Sequence, residues 1–172
     1  MDFLELAQKR YSVRKFSDKA VEKEKLELIL KASQIAPTAC NFQPQRLLVL
    51  DSEESLSKLK NCTPYHFNTK LAIIVCYDKN VSWKRKYDNT DGGQIDASIA
   101  TTQMMLEITN LGLGTTWVGS FDPEKVKSEF NLPENYVPVA ILPIGYESED
   151  STPTPNHFDR QELDKTVFYN SF

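Results

Sequence analysis

The chain predicts an α+β or α/β fold, a sheet with helices packed on both faces. Helical-period segments and short apolar runs follow each other in mixed order, turn residues fall between them, and 172 residues is the length of one domain. At this size folding removes roughly 70% of the extended chain's surface from water, so a core forms without disulfides or metal.

The elements follow in order. Phe3, Leu6, Ala7 and Tyr11 recur at helical spacing, with Asp2 as N-cap and Glu5 as its capping-box partner. Residues 12–16 lose that period. A second helix runs over 22–36, with Leu26, Ile29, Leu30 and Ser33 on one face, and Pro37 ends it. After a polar loop, 47–50 reads as a buried strand, 53–60 as a brief helix behind Ser52, and 71–77 as a second strand. Residues 78–91 form a polar stretch expected to be a mobile loop. From 92 to 111 runs one long helix with two apolar stripes, the first through Ile95, Ile99, Thr102 and Leu106, the second through Ala97, Ala100, Met104, Ile108 and Leu111. Two such stripes mean a central helix or one that packs on a partner chain. Gly112 suits the C′ position, 115–118 reads as a strand, Asp122-Pro123 opens a helix to Phe130, and 138–144 is the last strand. The segment 148–172 ends with Leu163, Val167, Phe168, Tyr169 and Phe172, an apolar tail that needs a surface to cover.

Composition removes several functions. Lys+Arg 20 against Asp+Glu 24 gives a net charge of −4, which argues against a dedicated binder of nucleic acid or anionic membrane. The one basic run, Lys84-Arg85-Lys86, lies between Trp83 and Tyr87 and reads as a solvated loop. No apolar run approaches the roughly 20 residues of a membrane span, and the first ten residues lack a signal-peptide core, so a cytoplasmic protein is expected. Cys40, Cys62 and Cys76 form no C-x-x-C pair and read as reduced thiols; His66 and His157 alone are too few for a histidine metal cage.

Three clusters carry chemistry. If the stretch from Arg10 is extended, Arg10, Ser12 and Arg14 project to one side and make an anion site whose guanidinium forks suit a phosphate. In the loop 36–45, the amides of Asn41 and Gln43 can read the alternating donors and acceptors of a pyrimidine-like edge, or serve simply as turn residues. In 112–121 the pair Gly112-x-Gly114 follows a helix and lacks a third glycine, which rejects a dinucleotide fingerprint; Gly119 either admits a flat ligand or makes a turn.

Together these clusters resemble the nitroreductase family of FMN-dependent oxidoreductases over nearly the whole chain. R-x-S-x-R-x-F stands at Arg10-Tyr11-Ser12-Val13-Arg14-Lys15-Phe16, P-[ST]-x-x-N-x-Q-P at residues 37–44, and G-L-G-x-x-W-[VI]-G at residues 112–119. Ile144-Gly145-Tyr146 is similar to the family's late G-Y. The resemblance implies an α+β three-layer α/β/α sandwich with a mixed, mainly antiparallel sheet, in a single domain of residues 1–172. It further implies a homodimer around the long central helix, two FMN sites at the interface, and residues 148–172 extended over the partner subunit. Arg10, Ser12 and Arg160 would hold phosphate and ribityl chain, with Tyr11 beside them. Arg14 would sit near the pyrimidine end, where its charge favours the reduced ring. Asn41 and Gln43 would bind the ring edge, Pro37 and Thr38 line it, and backbone groups of Trp117, Val118 and Gly119 contact the N5/O4 side. No protein side chain is implied as the reacting group. The implied reaction is ping-pong hydride transfer from NADH or NADPH through flavin N5 to a small electrophile such as a nitroaromatic or quinone. Another flavin reaction on the same fold (reductive dehalogenation, ene-type reduction, oxygen-dependent chemistry) or a flavin-binding protein without turnover are the alternatives. Two departures stand out: Gln45 follows Q-P where many members carry tryptophan, and Arg160 stands alone where a basic pair is usual.

Overall fold

The computed structural model describes residues 2–172. Its order is α1 (Phe3–Lys9), α2 (Lys23–Gln34), β1 (Gln45–Leu50), α3 (Glu53–Cys62), β2 (Leu71–Asp78), α4 (Gly93–Asn110), β3 (Gly114–Thr115), α5 (Pro123–Phe130) and β4 (Tyr136–Gly145). The strands form one sheet in the order β1-β2-β4-β3, every neighbour antiparallel. The one parallel pairing among the described residues is an isolated bridge from Ser12 to Thr115, which makes the sheet mixed at that edge.

Strand alternation divides the core into two layers of side chains. Leu71, Ile73 and Val75 of β2 join Ala140, Leu142 and Ile144 of β4 against Ile29 of α2 and Ala97, Met104 and Ile108 of α4. Ala72, Ile74, Cys76 and Ile141 point the other way, onto Leu59 and Cys62 of α3 and Val126 of α5. Helices therefore cover both faces, which is why β2 is a continuous apolar run from Leu71 to Cys76 rather than alternating. Each fully buried side chain, Ile73 and Ile74 among them, contributes roughly 1.5–3 kcal/mol by leaving water.

Local chemistry sets the ends. The Asp2 side chain accepts from Glu5 N–H at 2.8 Å while the Glu5 side chain accepts from Asp2 N–H at 3.0 Å, the reciprocal box expected of α1. At the end of α4, Gly112 takes φ 73°, its N–H bonds Thr109 O, and Leu113 N–H bonds Ile108 O, a Schellman ending. Asp122 caps α5 through Glu124 and Lys125 N–H, with Pro123 in its first turn.

Two expectations are corrected. The strand over 115–118 is broken: Val118 pairs with Ile141 in the register that Thr115 keeps with Ile144, but of the two pairs between them the hydrogen-bonded one falls on Pro143, which has no N–H to give. Thr115 Oγ1 donates to the Pro143 carbonyl instead, at 2.8 Å. The stretch 78–91 is a laced hairpin rather than an open loop. Arg85 N–H bonds Thr90 O, Gly92 N–H bonds Trp83 O, and Lys84–Asp91 and Arg85–Asp88 are ion pairs. Two of the three cations of its basic run are thus neutralised locally.

Candidate functional site

The site is built where the chain leaves α1. Arg10 turns out of the helix with extended backbone, Val13 N–H bonds Thr115 O at 3.0 Å, and Ser17 N–H bonds Tyr146 O at 2.9 Å, so residues 10–17 run along the β3 edge. Alternation then sorts the side chains. Val13, 1% exposed, packs inward on Gly114, where a Cβ would lie 2.7 Å from Val13 Cγ2, so only glycine admits this close approach. Arg10, Ser12 and Arg14 line a cavity of about 260 Å³ with Tyr11, as the i, i+2, i+4 spacing predicts.

The returning tail closes the cavity with Thr154, Asn156, His157 and Arg160. The Tyr11 hydroxyl donates to Glu147 Oε2 at 2.6 Å and lies 3.0 Å from Ser151 Oγ, and His157 Nε2 donates to Gln8 O at 3.1 Å. These contacts bring Arg160 beside a segment 150 residues earlier in the chain. Among the described residues, no ion pair includes Arg10, Arg14 or Arg160. Arg14 donates to Ser12 O, and Arg160 to Asp159 O and Asn156 O, all main-chain carbonyls. Burial, and then the charge of Arg160, pushes the Arg10 guanidinium below its ordinary range. Three cations converge with no anion among them. Thr154, Asn156 and His157 escaped the sequence reading; their signal was proximity to Arg160 in a Thr- and Pro-rich tail.

The second cluster lies elsewhere in the chain's surface, and none of Pro37, Thr38, Asn41 or Gln43 lines this cavity. Cys40, Asn41 and Gln43 take φ 52°, 56° and 52°, the left-handed region. Gln43 N–H bonds Thr38 Oγ1 at 3.1 Å, its side-chain amide donates to Asn41 O at 3.1 Å, and Ala39 N–H bonds Asp96 Oδ1 of α4 at 2.9 Å. Asn41 and Gln43 are exposed.

In the third cluster Val118 gives N–H and C=O to Ile141, leaving the N–H groups of Trp117 and Gly119 without backbone partners among the described residues. Trp117 packs on the α2/α4 side and Val118 on the α3/α5 side. Gly119 is exposed in a depression shared with Lys60, Thr63 and Ser120. Cys62 and Cys76 are buried free thiols, raised by burial to about 11 and about 12, while Cys40 is exposed. No helix is long and apolar enough to cross a membrane, and no group of three potential metal ligands stands together among the described residues.

Fold and cavity define a three-layer α/β/α protein with an uncompensated cationic pocket at the sheet's edge. The sequence pattern of the Nitroreductase family matches residues 7–72 and 67–146. A crystal structure of a nitroreductase family protein from Clostridium difficile 630 is 44% identical and superposes with a TM-score of 0.94 over 100% of both chains. An FMN-dependent nitroreductase from Clostridium difficile R20291 is 30% identical, with a TM-score of 0.78 over 99% of this chain and 100% of that one. A Methanothermobacter thermautotrophicus protein provisionally named NADH dehydrogenase/NAD(P)H nitroreductase is 32% identical, covering 87% of this chain and 80% of its own. The chain belongs to the nitroreductase family, and it is an oxidoreductase.

Proposed function

We propose that the protein is an FMN-dependent oxidoreductase that takes hydride from NADH or NADPH and delivers it to a small electrophile such as a nitroaromatic or quinone. The observation that carries this reading is the convergence of Arg10, Arg14 and Arg160 with Ser12 in a cavity that holds no carboxylate. Guanidinium forks and a hydroxyl match phosphate oxygens, and three like charges that converge without a carboxylate are stabilised by an anion in their midst. The R20291 relative, named as FMN-dependent, supports the choice of anion.

When bound, FMN supplies the hydride chemistry at its N5 atom. Arg10, Ser12 and Arg160 hold the phosphate end, with Tyr11 fixing the tail through Glu147 and Ser151. Arg14 sets a positive charge where electron density collects on reduction. Pro37 and Thr38 line the ring and the amides of Asn41 and Gln43 meet its edge, contributed by the second subunit in a shared site. The free N–H groups of Trp117 and Gly119 face the N5/O4 side, and Val118 anchors both to the sheet.

The uncovered half of α4 supports a homodimer. Ile95 is 62% exposed and lines a groove of about 730 Å³ with Phe3, Ile99 and Leu106, an apolar surface of the kind that subunits cover. The exposure of Leu163, Phe168, Tyr169 and Phe172 supports a tail extended over the partner. Its place of action is the reducing cytoplasm, which keeps the three thiols free.

The test is the visible spectrum of purified protein, anaerobically, before and after NADH and, separately, NADPH. A flavin spectrum bleached by either and restored by a nitroaromatic or quinone is the expected result. A flavin that neither donor reduces refutes the reductase reading, and a protein that cannot be loaded with FMN refutes the cofactor. Sedimentation of the loaded protein as a monomer refutes the shared site.

A further inference from the structure

Asp96 lies in the first turn of α4 and is 3% exposed. Its Oδ1 accepts the Ala39 N–H at 2.9 Å; its Oδ2 is buried and has no partner among the described residues. Among the described residues no ion pair includes it. A buried carboxyl with one hydrogen bond and no cation is an expensive residue to keep in a core. What it does accomplish is local. The main chain at 38–43 visits the left-handed region three times without glycine, a conformation that persists only where the surroundings impose it. The other bonds of this loop come from itself, or from Arg46 just after it, which donates to Gln43 O at 3.0 Å. Among the described residues, the bond that Ala39 N–H donates to Asp96 is the one that ties the loop to a helix of the core.

We infer that Asp96 is a positioning residue: it fixes the 38–43 loop so that Asn41 and Gln43 present their amides in the geometry a flavin ring edge requires. This rests on the proposed cofactor, but the clamp itself can be tested without one. Hydrogen exchange of the flavin-free protein compares Asp96→Ala, Asp96→Asn and Thr101→Val; Thr101 is equally buried on α4 and bonds only its own helix, at Ala97 O. Loss of a hydrogen bond to a carboxylate should speed exchange at Ala39, Asn41, Phe42 and Gln43 about tenfold or more in Asp96→Ala. Asp96→Asn, which keeps an acceptor oxygen, should restore most of the protection, and Thr101→Val should leave the loop unchanged. Loop amides that exchange at the parent rate in Asp96→Ala overturn the clamp.

Flavin binding then tests the purpose. Asp96→Ala should weaken FMN and riboflavin by the same factor, about tenfold, because the ring end is disturbed and the phosphate end is not. Arg10→Ala should weaken FMN and spare riboflavin. If Asp96→Ala weakens FMN alone, or neither flavin, the ring-edge role is wrong. If the parent protein binds neither flavin, the cofactor reading fails, while the exchange data still decide whether Asp96 holds the loop.

Discussion

Replacing Gly114 by alanine probes the joint on which the cationic pocket depends. The added Cβ would stand 2.7 Å from Val13 Cγ2 and 2.8 Å from Val13 Cβ and Cγ1. That is about 1 Å inside the ~3.5–4.0 Å separation at which carbon atoms attract. A rotamer change cannot relieve it, since Val13 Cβ itself is among the clashing atoms, so the main chain at 12–14 must lift off β3. Overpacking of this kind costs about 1–3 kcal/mol. For a domain of this length each kcal/mol lowers the melting temperature by roughly 2–4 °C, so Gly114→Ala should melt about 2–12 °C below the parent. The lift carries Ser12 and Arg14 with it, and FMN affinity should fall about tenfold, ~1.4 kcal/mol. Gly112→Ala is the control: its φ of 73° makes alanine strained, yet nothing lies within 4 Å of the new Cβ, so it should cost about 1 kcal/mol and leave FMN binding intact. A Gly114→Ala protein that melts and binds FMN like the parent would refute the argument, as would equal losses of affinity in the two variants.

Other outcomes follow from the same geometry. Arg14→Ala should lower FMN retention about tenfold and slow anaerobic reduction by NAD(P)H, whereas Arg85→Ala, in the hairpin, should do neither in the same stopped-flow assay. With thiols at about 11 and about 12, Cys62 and Cys76 should resist a thiol reagent in the folded protein at pH 8, leaving one fast-reacting cysteine per chain that Cys40→Ser abolishes. Hydrogen bonds from Arg85, and then from the Thr90 N–H, hold the Asp88 carboxyl down from 3.8 to about 2. Because the folded value lies below the unfolded one, this pairing supports the hairpin at every pH above 4 and is lost as pH falls through 2. Proton-detected titration should place the Asp88 midpoint near 2, and Arg85→Ala should return it toward its ordinary value.

Period and capping chemistry carried most of the fold. The apolar run of β2 and the double stripe of α4 were legible because a strand or helix buried on two sides leaves no polar face, and Asp2, Gly112 and Asp122 mark ends that the hydrogen bonds then use. The break after Thr115 is not legible in the sequence, although Pro143 is, because pairing partners must be known before a missing N–H acquires a location. The lacing of the hairpin at 78–91 is not legible in the sequence, because its ion pairs join residues seven and three apart that have no periodicity to announce them. Of the candidate site, the alternation of Arg10, Ser12 and Arg14 was readable from spacing alone. The contribution of His157 and Asn156 depends on how a tail folds back over α1, which no local rule supplies. Asp96 was hidden for a different reason: an acid in a helix's first turn is ordinary by sequence, and only its burial makes it unusual.

The sheet has no open face, since α2 and α4 occupy one side and α3 and α5 the other. A small molecule that is to reach the sheet must therefore do so at its rim, on segments whose outward side chains take little part in the packed interior. Changing what is recognised there need not disturb what is folded, so a scaffold of this layout can exchange one electron acceptor for another through a few loop residues while its core stays as it is.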